Sequence, residues 1–173
     1  RPALRAPRPA MTFREAPLNT RAVLTIEGEC IRPTKFSYQD LQDIHRYYQV
    51  DDLSTVDERL SGKGVRLRKL IDIVGPEFHT KYVTVESQDG AFSACLPLEE
   101  MSRTAILVYE EGGKPLAREA GGPVRFLVPF YPDKCANVKN AARLVISEKP
   151  REDTRPSNAS EHAALHETEK QGA

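Results

Sequence analysis

The stretch from Gly121 to Lys139 concentrates the residues able to do chemistry. Arg125, Lys134 and Lys139 bring three cations to one Pro-rich segment, with Cys135 and Asn137 between the lysines. Such a set suits an anion such as a phosphate. A guanidinium offers a fixed fork of donors, and an ammonium acts as a point charge. Cys135 directly follows Lys134 and stands four positions before Lys139. Neighbouring cations favour the thiolate, the form that ligates metals or attacks electrophiles. A blander reading competes, with Arg125 paired to Glu119, the lysines solvated and Cys135 a small buried hydrophobe. On residue chemistry alone the blander reading is favoured.

Other motifs are few. The glycine pairs Gly112-Gly113 and Gly121-Gly122 do not join a strand to a helix as a phosphate loop does, and neither Gly-x-Ser-x-Gly nor Cys-x-x-Cys occurs. His162 and His166 are four apart but lie in a polar segment without a core-forming helix. Asn158-Ala159-Ser160 is a glycosylation sequon only in a eukaryotic secretory setting. His45 and His79 read as isolated surface or cap groups. Cys30 and Cys95 read as packing residues, and three cysteines are too few for a disulfide framework.

The 173 residues hold 25 Lys+Arg and 25 Asp+Glu, so the formal charge is zero. A neutral chain argues against nucleic-acid binding by phosphate neutralisation, and against attraction to an anionic membrane surface. The longest apolar run, Ala105 to Tyr109, is far too short to span a bilayer. The chain opens at Arg1 without Met, which fits a processed leader or a start at Met11.

The elements that must position the cations follow from patterning. Residues 1–17 and 149–173 read as disordered tails, because they hold too little apolar surface to offset their ordering entropy. Residues 18–148 read as one domain. Val23, Leu24 and Ile26 up to Gly28 suggest a strand, and Ser37-x-x-Asp40 opens a helix bearing Leu41, Ile44 and Tyr48. Val65 to Val74 predicts a short helix stopped by Gly75-Pro76. Tyr82 to Val85 and Ala91 to Leu96 predict a hairpin around a two-residue Asp89-Gly90 turn, and Pro97 to Met101 one helical turn. Further strands are expected over 104–110, 123–129 and 140–147. Many strands and few short helices, with mixed connections, predict an α+β domain with a mixed β-sheet.

The order of these motifs resembles the molybdopterin-binding domain of sulfite-oxidase-like oxidoreductases. The resemblance rests on Leu24-x-Ile26-x-Gly28, Phe36-Ser37-Tyr38-x-Asp40-Leu41 and Gly64-Val65-x-Leu67. It continues through Tyr82-Val83, Asp89-Gly90, Pro97-Leu98, Ala105-Ile106-Leu107 and Gly113-x-Pro115-Leu116. Its most specific part is Gly121-Gly122-Pro123-Val124-Arg125 through Val128-Pro129 to Asn137-Val138-Lys139. It covers about residues 20–147.

The resemblance implies a fold around a pterin pocket and molybdopterin, with its Mo, as cofactor. It implies Arg125, Lys134, Asn137 and Lys139 as cofactor contacts, the basic ones toward the pterin phosphate. Cys135 is the candidate metal ligand should its loop fold inward. The family's Mo-ligating cysteine normally precedes the Gly-Val-x-Leu element, yet residues 50–60 contain no Cys and are acidic. Asp51, Asp52, Asp57 and Glu58 have the wrong sign for sulfite. Beside a purely structural role with the pocket collapsed, two functions are open. One is a molybdopterin-dependent oxidoreductase acting on a less anionic substrate with a redox partner protein. The other is a non-catalytic binding or interaction module that keeps the fold without Mo.

Overall fold

A computed structural model describes residues 20–156. Strand β1 (Ala22–Gly28) buries Leu24 and Ile26 on one face, as period-two patterning demands. After β2 (Thr34–Ser37), Ser37 Oγ accepts from Asp40 N–H at 3.1 Å and Asp40 Oδ2 accepts from Ser37 N–H at 2.8 Å. This capping box starts α1 (Tyr38–Asp43), which buries Leu41.

Strand β3 (Gln49–Val50) leads through an acidic loop to β4 (Lys63–Arg66), and α2 (Leu67–Val74) follows without a break. The helix expected from Val65 thus begins two residues later. Val65 is instead a central strand residue opposite both Gln49 and Leu107. At its other end α2 stops as expected, at Gly75 in the left-handed region (φ 62°).

Strands β5 (Tyr82–Ser87) and β6 (Ser93–Pro97) pair antiparallel, with Val85 opposite Ala94. Their connection is wider than a two-residue turn. Ser87 N–H donates to Phe92 O, and the Asp89 carboxylate accepts from Ser87 Oγ–H (2.6 Å) and Ala91 N–H (3.0 Å). Helix α3 (Leu98–Thr104) precedes β7 (Ile106–Glu111), β8 (Lys114–Pro115), β9 (Arg125–Leu127) and β10 (Ala141–Ser147).

Two sheets result. The first has the order β2-β1-β10-β5-β6 and is mixed, since β1 and β10 run parallel and the other neighbours antiparallel. The second is antiparallel, with the order β3-β4-β7-β8, and β9 also pairs with β7. The α+β class and the mixed sheet are as predicted; the second sheet is an addition.

Strand β7 explains its unbroken apolar run. Leu107 and Tyr109 enter the main core, formed with β1, β5, β10 and the apolar face of α2. Ile106 and Val108 enter a smaller cluster with Val50, Leu53, Leu116 and Leu127. A strand covered on both faces must be apolar at every position.

Beyond residue 148 the chain returns along β6. Thr154 N–H donates to Ser93 O at 2.9 Å, and Ser93 N–H donates to Thr154 Oγ1 at 2.9 Å. This segment covers the outer edge of β6, which would otherwise present unpaired backbone groups. Residues 1–19 and 157–173, with His162, His166 and the sequon, lie outside the described residues.

Candidate functional site: a cationic cavity between the sheets

The site begins with β9. Phe126 is fully buried in the main core, and alternation turns Arg125 to the other side. The strand is short because Val128 N–H donates to Asn137 Oδ1 at 2.7 Å. Phe126 and Val138 then pair through both backbone hydrogen bonds, each 2.9 Å. The segment between them folds back as a loop ending in a 3-10 turn, Lys134–Ala136. Asp133 caps that turn, its Oδ1 accepting from Cys135 N–H at 2.9 Å.

A second turn faces the first. Arg118–Ala120 is a 3-10 turn ended by Gly121 at φ 99°. Asn140 N–H donates to Gly121 O at 2.7 Å, and Asn140 Nδ2 donates to Arg118 O and Gly122 O. A Cβ on Gly121 would sit 3.2 Å from Arg125 Cδ and 3.2 Å from Lys139 Cγ. Gly121 thus lets the aliphatic stems of both cations lie against the turn. The β5–β6 loop closes the third side, tied on by Gln88 N–H donating to Asn140 O at 2.8 Å.

The open cavity between them has a volume of about 640 Å³. Arg125, Lys134, Cys135, Asn137 and Lys139, the five residues singled out from the sequence, all line it. Arg118, Asp89 and Phe92 join them. The expected pairing of Arg125 with Glu119 does not occur. None of Arg118, Arg125, Lys134 and Lys139 forms an ion pair among the described residues. Arg125 Nε is buried and has no hydrogen-bond partner. A buried charged donor without an acceptor is costly, and an anion placed beside it would satisfy it.

Asp89 is the one carboxylate lining the cavity. The Ser87 hydroxyl and the Ala91 N–H hold its carboxyl below the usual range, with a smaller contribution from Arg118. Its Oδ1 accepts both of those bonds within its own loop, and its charge acts on Arg118 alone of the four cations.

Asn137 lines the cavity while its side-chain oxygen is committed to Val128 N–H. Its structural part is to set the loop's entry. Cys135 is the only cysteine on the cavity wall. Cys30 is buried beside Pro76, and Cys95 Sγ accepts from Arg151 N–H at 3.4 Å, which fits their packing roles.

The acidic loop 50–60 contributes no residue to the cavity wall. Leu53 is buried in the smaller cluster, with Val56 and Leu60 packed against it. Sequence reasoning missed Arg118. Its signal was the adjacent Gly121-Gly122, the glycines that let its turn fold back onto Asn140.

The cations of the wall and the unpartnered Arg125 Nε–H would suit the phosphate-bearing end of a pterin cofactor. For the metal end the cavity offers one thiol, Cys135.

Comparison with known proteins gives the family and the fold. The family model described as "Oxidoreductase molybdopterin binding domain" matches residues 15–155. The uncharacterized oxidoreductase YuiH of Bacillus subtilis is 29% identical over 115 residues, covering 64% of this chain and 58% of that protein. The crystal structure of the sulfane dehydrogenase SoxCD from Paracoccus pantotrophus superposes with a TM-score of 0.63 at 22% identity. That match covers 83% of this chain and 42% of the SoxCD chain, and it speaks to fold alone. The chain thus spans little more than half of the first relative and less than half of the second.

Proposed function

Because the chain belongs to the oxidoreductase molybdopterin-binding domain family, we propose that the cavity holds molybdopterin by its phosphate. Arg125, Lys134 and Lys139 are the principal contacts, and Arg118 is a fourth. The observation that carries this reading is the buried Arg125 Nε, left without a partner among three further unpaired cations.

Arg125 emerges from a rigid strand and would give directed hydrogen bonds, while the exposed lysines supply charge at the rim. Asn137 acts indirectly by fixing the loop. Phe92 and Val138 offer apolar surface beside the cations. When bound, the Mo centre supplies oxygen-atom or electron transfer, with soft sulfur ligands preferred.

Sulfite-type chemistry is not favoured here. Residues 50–60 hold no sulfur, and their apolar side chains are committed to the smaller core cluster. If the bound centre is redox-active, Cys135 is the protein ligand and electrons pass to a redox partner protein. The second reading is a binding module that retains the pterin, or another phosphate-bearing ligand, without turnover. The missing thiolate in 50–60 favours it.

The test is expression of the full chain in a host that makes the cofactor, followed by measurement of Mo and released pterin per chain. About one pterin per chain is expected, with at least a tenfold loss in the double variant Arg125→Met/Lys139→Met. Wild-type protein without pterin, or pterin retained in that variant, overturns the proposal. Where Mo is present, Cys135→Ala separates the readings: loss of the metal signal marks a ligand, and an unchanged signal marks a bystander.

A further inference from the structure

Far from the cationic cavity, three strand ends of the first sheet converge. Strands β1 and β10 are parallel neighbours with Gly28 opposite Ile146, so their C-terminal ends deliver Glu29 and Glu148 side by side. Strand β5 runs antiparallel to β10 with Tyr82 opposite Ser147, so the loop preceding it brings Glu77 and His79 to the same edge. His79 is therefore not isolated, as its sequence context suggested.

His79 Nε2 lies 3.2 Å from Glu29 Oε1 and 3.6 Å from Glu77 Oε2. Donor atoms of Glu29, His79 and Glu148 all lie within 4.8 Å of one another, the only such group of three among the described residues. From this mixed nitrogen and oxygen set we infer a binding site for a divalent first-row cation of the Zn²⁺ class. His79 Nε2, Glu29 and Glu148 are its ligands, and Glu77 is a fourth.

The spacing suits the ion. Tetrahedral Zn²⁺ with ligands at about 2.0–2.2 Å needs donor atoms roughly 3.3–3.5 Å apart. The two separations from His79 bracket that value, and Glu148, within 4.8 Å of both His79 and Glu29, would draw in on binding. Glu29 is already oriented, since its other oxygen, Oε2, accepts from Glu148 N–H at 2.6 Å. That hydrogen bond, followed by the one with His79, keeps the Glu29 carboxyl below its usual range. Three carboxylates surround one imidazole, and Lys149 offsets only part of their charge. Binding requires the Nε2 lone pair, so the ring keeps its hydrogen on Nδ1 and any Nε2 proton leaves to solvent.

The test is calorimetric titration of the reduced full chain with Zn²⁺. The expected result is one ion per chain, with at least a tenfold loss of affinity in His79→Gln and a smaller loss in Glu77→Gln. Glu77→Gln also serves should the Glu29→Gln variant fail to fold. No binding overturns the inference. Binding that survives His79→Gln but is lost in His162→Gln/His166→Gln overturns it as well. The cationic cavity shares no residue with this site, so loss of pterin binding there leaves the Zn²⁺ titration unaffected.

Discussion

Arg155 Nη1 lies 3.0 Å from Asp133 Oδ2, while the other oxygen of that carboxylate, Oδ1, caps the turn bearing Lys134 and Cys135. One carboxylate thus joins the segment covering β6 to the cavity loop. Arg155 is held in turn by Asp153 and by the Cys95 carbonyl at 2.9 Å, and its side chain is only 18% exposed. Removing it leaves Asp133 half-satisfied and the Cys95 carbonyl without this donor. Arg155→Ala should cost about 1–3 kcal/mol in denaturant unfolding. It should also speed amide exchange at Cys135 more than at β1. Arg155→Lys should recover little, because an ammonium cannot reproduce the planar fork. Equal exchange in the wild type and Arg155→Ala would refute the link.

The unpaired cations predict that the cofactor-free protein is stabilised by a simple polyanion. Pyrophosphate at a hundred times its Kd should add about 2.7 kcal/mol. For a domain of this size that raises Tm by roughly 5–10 °C. Arg125→Met should abolish most of the rise and relieve the burial of an unsatisfied N–H, so it should unfold no earlier than wild type without pyrophosphate. The same Tm rise in Arg125→Met would place the anion elsewhere.

What the sequence made legible was local. The Ser37 and Asp40 capping box, the Gly75 stop and the pairing of β5 with β6 each depend on residues close along the chain. The second sheet was harder to read. Strands β3 and β8 have two residues each, and Val65 fits a helix or a strand until Leu107 is placed opposite it. The cavity divides in the same way. Arg125, Lys134 and Lys139 share one stretch of chain and were found together. Arg118 and the loop around Asp89 reach them only through Asn140, whose contacts depend on the fold. The convergence at His79 likewise depends on β1, β10 and β5 being neighbours, which no local pattern encodes.

Tyr38 carries a pH dependence. Its hydroxyl donates to Glu110 Oε2 at 2.6 Å, and Gln42 Nε2 donates to both oxygens. Burial first, then the hydrogen bond to Glu110 and its charge, pushes its pKa up to about 12, against about 10 in an unfolded chain. A raised folded pKa means the contribution is fully present below pH ~10 and is lost as pH rises toward ~12. Wild type should therefore lose stability over that interval more steeply than Tyr38→Phe, which lacks the ionising group. Unfolding free energies measured across the interval check this, and parallel curves would contradict it. At neutral pH, Tyr38→Phe should cost about 1–2 kcal/mol through the lost hydrogen bond to a charged group.

Gly121 offers a way to separate backbone strain from site geometry. Its φ of 99° disfavours any residue with a Cβ, so Gly121→Ala should lose at least about 1 kcal/mol of stability. The added methyl would also press on Arg125 Cδ and Lys139 Cγ, shifting both stems by a few tenths of an ångström. Gly112 is the matched control. Its φ is also positive, at 60°, but a Cβ there would meet nothing within 4 Å. Both alanine variants should unfold earlier than wild type. Only Gly121→Ala should weaken pyrophosphate binding, by roughly 1.4 kcal/mol or tenfold if one guanidinium contact is lost. Equal weakening in both variants would mean that stability, rather than the placement of Arg125 and Lys139, governs anion affinity.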